Sequence, residues 1–508
     1  MAKYILGIDI GTSSCKAALF DREGKIIASG TGSYKVYYPR EGWAEQDPEE
    51  WWKAVCHTVR VMLANHKISS KDIAGVGIDG QSWSAIAVNK NGAVLSNTPI
   101  WMDTRAADIC SRLEKVVGRD EIFACAGNLL QPSYTTGKIL WYRENMPEVF
   151  SHTYKILQSN SYIAYKLTGR MTQDISQGYG LHCFDMHTGT WSHDMCSKLG
   201  IPMGLLPDIY KCDEVIGTVS QEAAAASGLT AGTPVVAGGL DAACGTLGAG
   251  VIHTGETQEQ GGQAGGMSIC MNSCKADPRL ILSYHVVPGL YLLQGGTTGG
   301  GGVMRWMERE FADYEREEGH RRGKSSLTLL NKLAEKITPG SDGVVFLPYM
   351  AGERSPIWNP DAKGVFYGLD FSKTKGHLIR AAMEGVALSL KHNLDIAEEA
   401  GASVDMLHAT GGSANSLLWT QIKSDVTGKR IVVPSADTAT TLGAAILAGI
   451  GVGIYENYEE AVKLTVKNRR CHVPDQKNRE IYDDTYALYR KLYCNLESLM
   501  RRKGEAEE

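Results

Sequence analysis

Apolar and polar positions alternate in short blocks from the fourth residue. Residues 4–8 are apolar, Asp9 interrupts, Gly11-Thr12-Ser13 follow, and residues 17–20 are apolar again. This predicts a β-meander over about 4–10, 16–20 and 26–29, with Asp21-Arg22-Glu23-Gly24 as its second turn. The period then changes. Trp51, Trp52, Val55, Val59 and Met62 fall on one face of a helix predicted over 47–65, with Asp47 as N-cap, Pro48 in the first turn and Glu50 completing a capping box. A strand at 73–78, a hairpin around Asn89-Lys90-Asn91-Gly92 and a strand at 234–237 follow, the last ending in Gly238-Gly239 just before Asp241. A small-residue helix at 441–448 and a long amphipathic helix at about 475–501 close the pattern, with a frayed tail at 502–508. Hairpins followed by helices predict an α/β fold with mixed sheets, not all-parallel ones.

Composition narrows the class. With 508 residues the chain has room for about two to four domains, and a boundary is expected near 246–255. Hydrophobic residues are 43% and charged residues 21%, which suits large cores and excludes wholesale disorder. A formal net charge of −5 argues against a nucleic-acid partner. Twelve cysteines lie scattered with no C-x-x-C pair, as expected for reduced thiols in the cytoplasm. There is no signal-peptide pattern and no apolar run of about 20 residues, so no membrane association is expected.

The candidate chemistry begins at the first turn. Gly11 allows close approach of a ligand, Thr12 and Ser13 add hydroxyl donors, and backbone N–H groups point into the gap. Such a concavity suits phosphate. Asp9 would steer a Mg²⁺ bridging those phosphates, and Lys16 adds positive charge. A hairpin whose Asp9 caps its own turn is the alternative. Two further glycine patterns are excluded as nucleotide motifs. Gly323-Lys324-Ser325 lacks the first glycine of a P-loop, that position being Glu318. The G-x-G-x-x-G of 75–80 lies inside a strand and leads to no clear helix, which disfavours a nicotinamide oxidoreductase.

Taken together, six segments resemble the FGGY family of carbohydrate kinases over nearly the whole chain. They are GIDIGTSSCK (7–16), GIDGQSWSA (77–85), WMDTR (101–105), GGLDAACGTLGAG (238–250), GERSPIWNPDAKGVFYGL (352–369) and ATGGSANSLLWTQIKSDVTGKRI (409–431). The resemblance implies two actin-like, ribonuclease-H-like domains around a central cleft. A sugar-binding domain carrying the catalytic base would span 1–250, and a nucleotide-binding domain 251–508. It implies ATP and Mg²⁺ as cofactors and transfer of the γ-phosphoryl to a sugar or polyol hydroxyl; a homodimer is left open.

The resemblance places the catalytic base at Asp241. Phosphoryl transfer needs positioning, charge neutralisation and a proton acceptor, and Asp241 follows a strand and precedes small residues that let substrate come close. An ordinary helix N-cap is the alternative. Asp9 and Asp241 are expected around one metal-bound triphosphate. Gln81, Ser82 and Trp83 offer an amide, a hydroxyl and an indole to a sugar, and Asp103 and Arg105 an acceptor and a forked donor. Core packing for Trp83 and Trp101, and a cap with a local ion pair for Asp103 and Arg105, are the alternatives. On the nucleotide side, Gly262 and Gln263 resemble a second phosphate hairpin that has lost the family's two hydroxyls. Gly299 opens a glycine-rich turn before a helix, whose N-terminus is a phosphate candidate. Gly411, Gly412 and Asn415 resemble the adenosine motif. Xylulokinases read Gln-Met-His where this chain has Gln81-Ser82-Trp83, and the Arg-Glu pair of glycerol kinases is missing there. D-Xylulose is therefore the first expectation; ribulose, L-xylulose, erythritol or a gluconate-like acid are alternatives. A regulatory actin-like ATPase is the rival class.

Overall fold

The computed structural model describes residues 3–435 and 438–500. The tail expected to fray at 502–508, and the last residue of the helix expected to end at 501, lie outside them. The chain forms two compact units. The first comprises Met1–Ile252, Cys270–Leu292 and Thr438–Lys467, and the second His253–Ile269, Leu293–Asp437 and Asn468–Glu508. The sequence reading draws one boundary; the contacts return two later stretches to the first unit.

The opening meander forms as Tyr4–Ile10, Ser14–Phe20 and Ile26–Ser33, paired antiparallel in sequence. Ile73–Gly80 joins the other side of the first strand in parallel, and Pro234–Val236 and Gly239–Leu240 both pair in parallel with Ile73–Gly80. Leaving aside Val215–Thr218, which lies antiparallel at the far edge, the strands counted by entry run in the order 3-2-1-4-5. Leu6, Ile8, Ile10, Val76, Ile78 and Val235 fill its buried face with Trp51, Val55 and Val59 of helix Pro48–His66. Asp47 caps that helix by accepting from the Glu49 N–H, at 2.9 Å. Glu50 does not complete the expected capping box; its carboxylate accepts from the Tyr37 hydroxyl at 2.7 Å, a competing partner supplied by tertiary packing.

In the second unit Glu256–Gly261 pairs antiparallel with Gly265–Met271 and in parallel with Met406–Thr410, which in turn pairs in parallel with Arg430–Pro434. Tyr291–Thr297 lies beyond Gly265–Met271, so the 3-2-1-4-5 order recurs once the edge strands Ile281–Tyr284 and Asn468–His472 are left aside. Its core gathers Phe346, Leu347, Met383, Trp419, Ile422 and Tyr489 around helix Lys375–Glu399. The long terminal helix is Arg479–Met500, preceded by a 3₁₀ turn, Gln476–Asn478, that Asp475 caps. Gly323 ends helix Asp313–Arg322 in the left-handed conformation, a C-cap and not a phosphate loop. Among the described residues no helix is long and apolar enough to cross a membrane.

The small-residue helix runs Ala439–Gly451 and packs backbone to backbone in the first unit. A β-carbon on Gly7 would stand 2.0 Å from the Thr441 carbonyl oxygen, one on Gly77 1.9 Å from that of Ala444, and one on Gly443 1.9 Å from that of Cys244. Only glycine permits these approaches.

Candidate active site

Three parallel strand ends place three carboxyl groups together. Register pairs Asp9 with Asp79 and Asp79 with Gly239, and helix Asp241–Gly248 starts two residues after Gly239. Asp79 is fully buried and Asp9 is 5% exposed, while Asp241 is part-exposed. Asp9 accepts from the Thr440 hydroxyl at 3.0 Å, and the Lys16 ammonium stands 3.9 Å away. Burial raises Asp9 above the usual carboxylate range, against the pull of Lys16. Burial, then the charges of Asp9 and Asp241, push Asp79 well above that range. Among the described residues neither Asp79 oxygen has a hydrogen-bond partner. Burial and the Asp9 charge raise Asp241 to about 7.

Asp241 is the first residue of its helix, and its Oδ1 accepts from the Ala242 N–H at 2.6 Å. Leu240 N–H is fixed by the Ser176 hydroxyl at 2.9 Å, which donates in turn to Asp174 at 2.6 Å. The sequence reading missed Asp79 and Thr440. Asp79 had a signal: Gly77-Ile78-Asp79-Gly80 repeats the Gly-Ile-Asp of the first strand in register beside it. Thr440 had none, because only the fold brings it there.

The Gly11-Thr12-Ser13 turn is open: Ser13 and Lys16 are exposed, Gly11 and Thr12 part-exposed. Trp101 Nε1–H donates to the Thr12 hydroxyl at 2.9 Å, which leaves the Thr12 O–H free to donate elsewhere. Gln46 bridges this turn to the sugar-side candidates, donating to the Thr12 carbonyl at 2.8 Å and accepting from Gln81 at 2.8 Å.

Trp83 has a φ of 62° and stacks on Tyr134 with ring centroids 4.1 Å apart; Tyr179 meets it edge-on at 5.8 Å and donates to the Ser82 hydroxyl at 3.3 Å. The buried Gln81 Oε1 has no partner. Lys138, fully buried, holds this wall by donating to the carbonyls of Trp83, Ile100 and Ser133 at 2.8, 2.7 and 2.6 Å. Asp103 and Arg105 lie together and are closed off. The Asp103 carboxylate takes the Ala44 N–H, the Arg105 N–H and the Arg105 guanidinium. That guanidinium also pairs with Glu45 at 2.7 Å and lies over the Trp43 ring, 3.8 Å from its centroid.

A cavity of about 580 Å³ in the second unit is lined in part by Gly261, Gly262, Gly412, Ser413, Asn415 and Trp419. Gly262 and Gln263 form the hairpin that the sequence reading singled out. Their carbonyls accept from the Gly301 and Gly302 N–H groups at 2.8 and 2.9 Å. The start of helix Gly301–Phe311 is thus closed by the hairpin and is not an open phosphate site. Gly301, not the buried Gly299, lines the cavity. Ser416, not Asn415, caps helix Leu417–Thr427, and Asn415 accepts instead from Arg469 at 2.6 Å. Gly411 has a φ of 80° and abuts Gly261.

Comparison with known proteins decides the family. The description "FGGY family of carbohydrate kinases, N-terminal domain" matches residues 4–248, and its C-terminal counterpart matches 267–452. The chain belongs to this family. The kinase is 29% identical over 499 residues to a xylulose kinase of Bacillus subtilis, covering 98% of both chains. It is 31% identical over 500 residues to a gluconokinase of the same organism, covering 98% of this chain and 97% of the other. A crystal structure of xylulose kinase from Rhodospirillum rubrum matches with a TM-score of 0.89 at 29% identity, covering 98% of this chain and 100% of that one. The kinase is accordingly a phosphotransferase acting on a sugar, with the actin-like, ribonuclease-H-like fold.

FGGY kinases use ATP, generally with a divalent metal, and the carboxyl cluster fits a cation. The Asp9 charge raises the proton affinity of Asp241, and both raise that of Asp79, a repulsion that a bound cation relieves. Among the described residues no three acidic, His or Cys side chains are spaced to hold an ion unaided.

Proposed function

We propose that the kinase phosphorylates a neutral ketose or polyol, D-xylulose first, from Mg·ATP. The wall around Trp83 carries the reading. Stacked indole and phenol rings suit the apolar face of a sugar, and Gln81 Oε1 and the Ser82 hydroxyl supply directed polar contacts. No cation is left here for a sugar acid. Arg105 is committed to Asp103 and Glu45, and Lys138 to three carbonyls. His182, beside Tyr134, is held neutral, its pKa lowered to about 4 by burial.

In this reading Asp241 accepts the proton of the attacking sugar hydroxyl, and the helix starting there orients its carboxylate. Asp9 and Asp241 would hold Mg²⁺, which would supply charge neutralisation for the phosphoryl group. In the first unit Gly11, Thr12, Ser13 and Lys16 serve phosphate oxygens, and in the second unit the Gly262-Gln263 hairpin does the same. The cavity at Gly412 and Asn415 takes the nucleoside. Asp103 and Arg105 brace the loop that carries Trp101 and do not touch sugar. A cytoplasmic location goes with this role.

The test is a coupled ADP assay over D-xylulose, D-ribulose, L-xylulose, erythritol, glycerol and D-gluconate. D-Xylulose is expected to give the highest kcat/KM, with D-gluconate at least about tenfold lower, the scale of one unpaired carboxylate. Preference for D-gluconate would overturn the substrate reading, and ADP release that no sugar stimulates would overturn the kinase reading.

A further inference from the structure

Behind the wall of the 580 Å³ cavity lies a buried ion pair with no part in the chemistry above. Lys423 is 1% exposed, and its ammonium donates to Glu259 Oε1 at 2.6 Å and to the Ser413 hydroxyl at 2.8 Å. The two acceptors belong to different loops. Glu259 stands two residues before Gly261, where the phosphate hairpin begins. Ser413 belongs to the turn Gly412–Asn415 that forms the cavity's other lip. Ser413 Oγ lies 1.6 Å from where a β-carbon of Gly261 would stand, so the loops touch at this point. Lys423 itself does not line the cavity. It borders a void of about 10 Å³ on the far side, room for roughly one water and no ligand. Trp419, one helical turn earlier, faces the cavity, with the ammonium 5.1 Å from its ring centroid.

A buried ion pair is a poor source of stability, because desolvation of two charges consumes most of what their attraction supplies. An apolar pair of similar size would fill the space at least as well. What it would not do is hold a hydroxyl at a fixed point between two loops. We propose that Lys423 is a positioning residue for the nucleotide, clamping Ser413, and with it the Gly411–Asn415 loop, onto the Gly261 hairpin. The proposal rests on the reading of this cavity as the nucleotide's. It also supplies what the hairpin lost: with no hydroxyls at 263 and 264, the hairpin depends on its backbone being held in place.

The test uses the full-length kinase with Lys423→Met and with Lys423→Met/Glu259→Leu, which removes both charges together. Both are expected to raise the KM for ATP about tenfold, the scale of a lost charge-assisted hydrogen bond, with kcat and the KM for sugar within about twofold of the parent. The double variant regains the Tm that the single one loses, but not the KM for ATP. A double variant that recovers both, or an unchanged KM for ATP in either, overturns the proposal. Thr328→Trp, which fills the cavity, separates two kinds of failure. If it leaves the KM for ATP unchanged, the cavity is not the nucleotide's and the proposal falls with that reading; if it raises KM while the Lys423 variants do not, only the clamp is wrong.

Discussion

At the scale of single residues, proton affinity is the quantity to watch. Burial and the Asp9 charge oppose the ionisation of Asp241 and raise its pKa to about 7, a range that suits the proposed general base at working pH. A carboxyl raised on folding binds more protons in the folded than in the unfolded chain. Its contribution therefore lowers stability as pH climbs from the unfolded value near 4 toward about 7. Asp241→Asn removes that loss. By thermal denaturation without ATP or metal, the variant is expected to gain about 2 °C or more over the parent at pH 8, with a smaller gain at pH 5. A gain that shrinks as pH rises would show that Asp241 is not raised. Lys138 is another residue with a sharp expectation. Lys138→Met removes a donor from three carbonyls, of which Ile100 keeps the Asp103 N–H, and is expected to cost about 3 kcal/mol in urea denaturation, with a raised KM for sugar. A loss below about 1 kcal/mol would mean that water replaces the ammonium.

At the scale of elements, the contact between helix Ala439–Gly451 and its sheet sets how the carboxyl cluster is held. Thr440, next to the contact, is what reaches Asp9. A β-carbon at 443 collides with backbone, which cannot swing aside as a side chain can. Gly443→Ala is expected to destabilise by about 3 kcal/mol or more and to lower kcat, read by urea denaturation and steady-state rates. An unchanged midpoint would show that the helix packs less closely. This element also marks what the sequence made legible. The run of small residues announced close packing, yet nothing in it named the strands and the helix Asp241–Gly248 as partners. The meander was legible because hydrophobic period and turn chemistry agree within about thirty residues. The helix cap at 416 was not: Asn415 and Ser416 are both good caps, and the choice depends on Arg469 and Asn331, distant in sequence. The glycines at 299–302 read as a phosphate loop, but Gly300, Gly301 and Gly302 serve the close approach of the hairpin above them and Gly299 that of Pro348.

At the scale of the whole molecule, the same 3-2-1-4-5 sheet order is built twice from sequences with little in common. Hairpin then crossover is a local pattern, so both copies were readable as mixed sheets. The return of Cys270–Leu292 and Thr438–Lys467 to the first unit was not, because long-range pairing leaves no local mark. The family was readable because six short motifs fall in order along nearly the whole chain. Asp103 and Arg105, part of one motif, turn out closed on each other, which only coordinates reveal. The central claim is that Asp241 deprotonates a sugar hydroxyl for attack on ATP. Rapid-quench single turnover with ATP labelled at the γ-position, D-xylulose and magnesium tests it directly, with the parent and Asp241→Asn side by side. Labelled sugar phosphate is expected from the parent, and a rate at least about 10³-fold slower from the variant at saturating ATP. Sugar phosphate formed at similar rates by both would contradict the account.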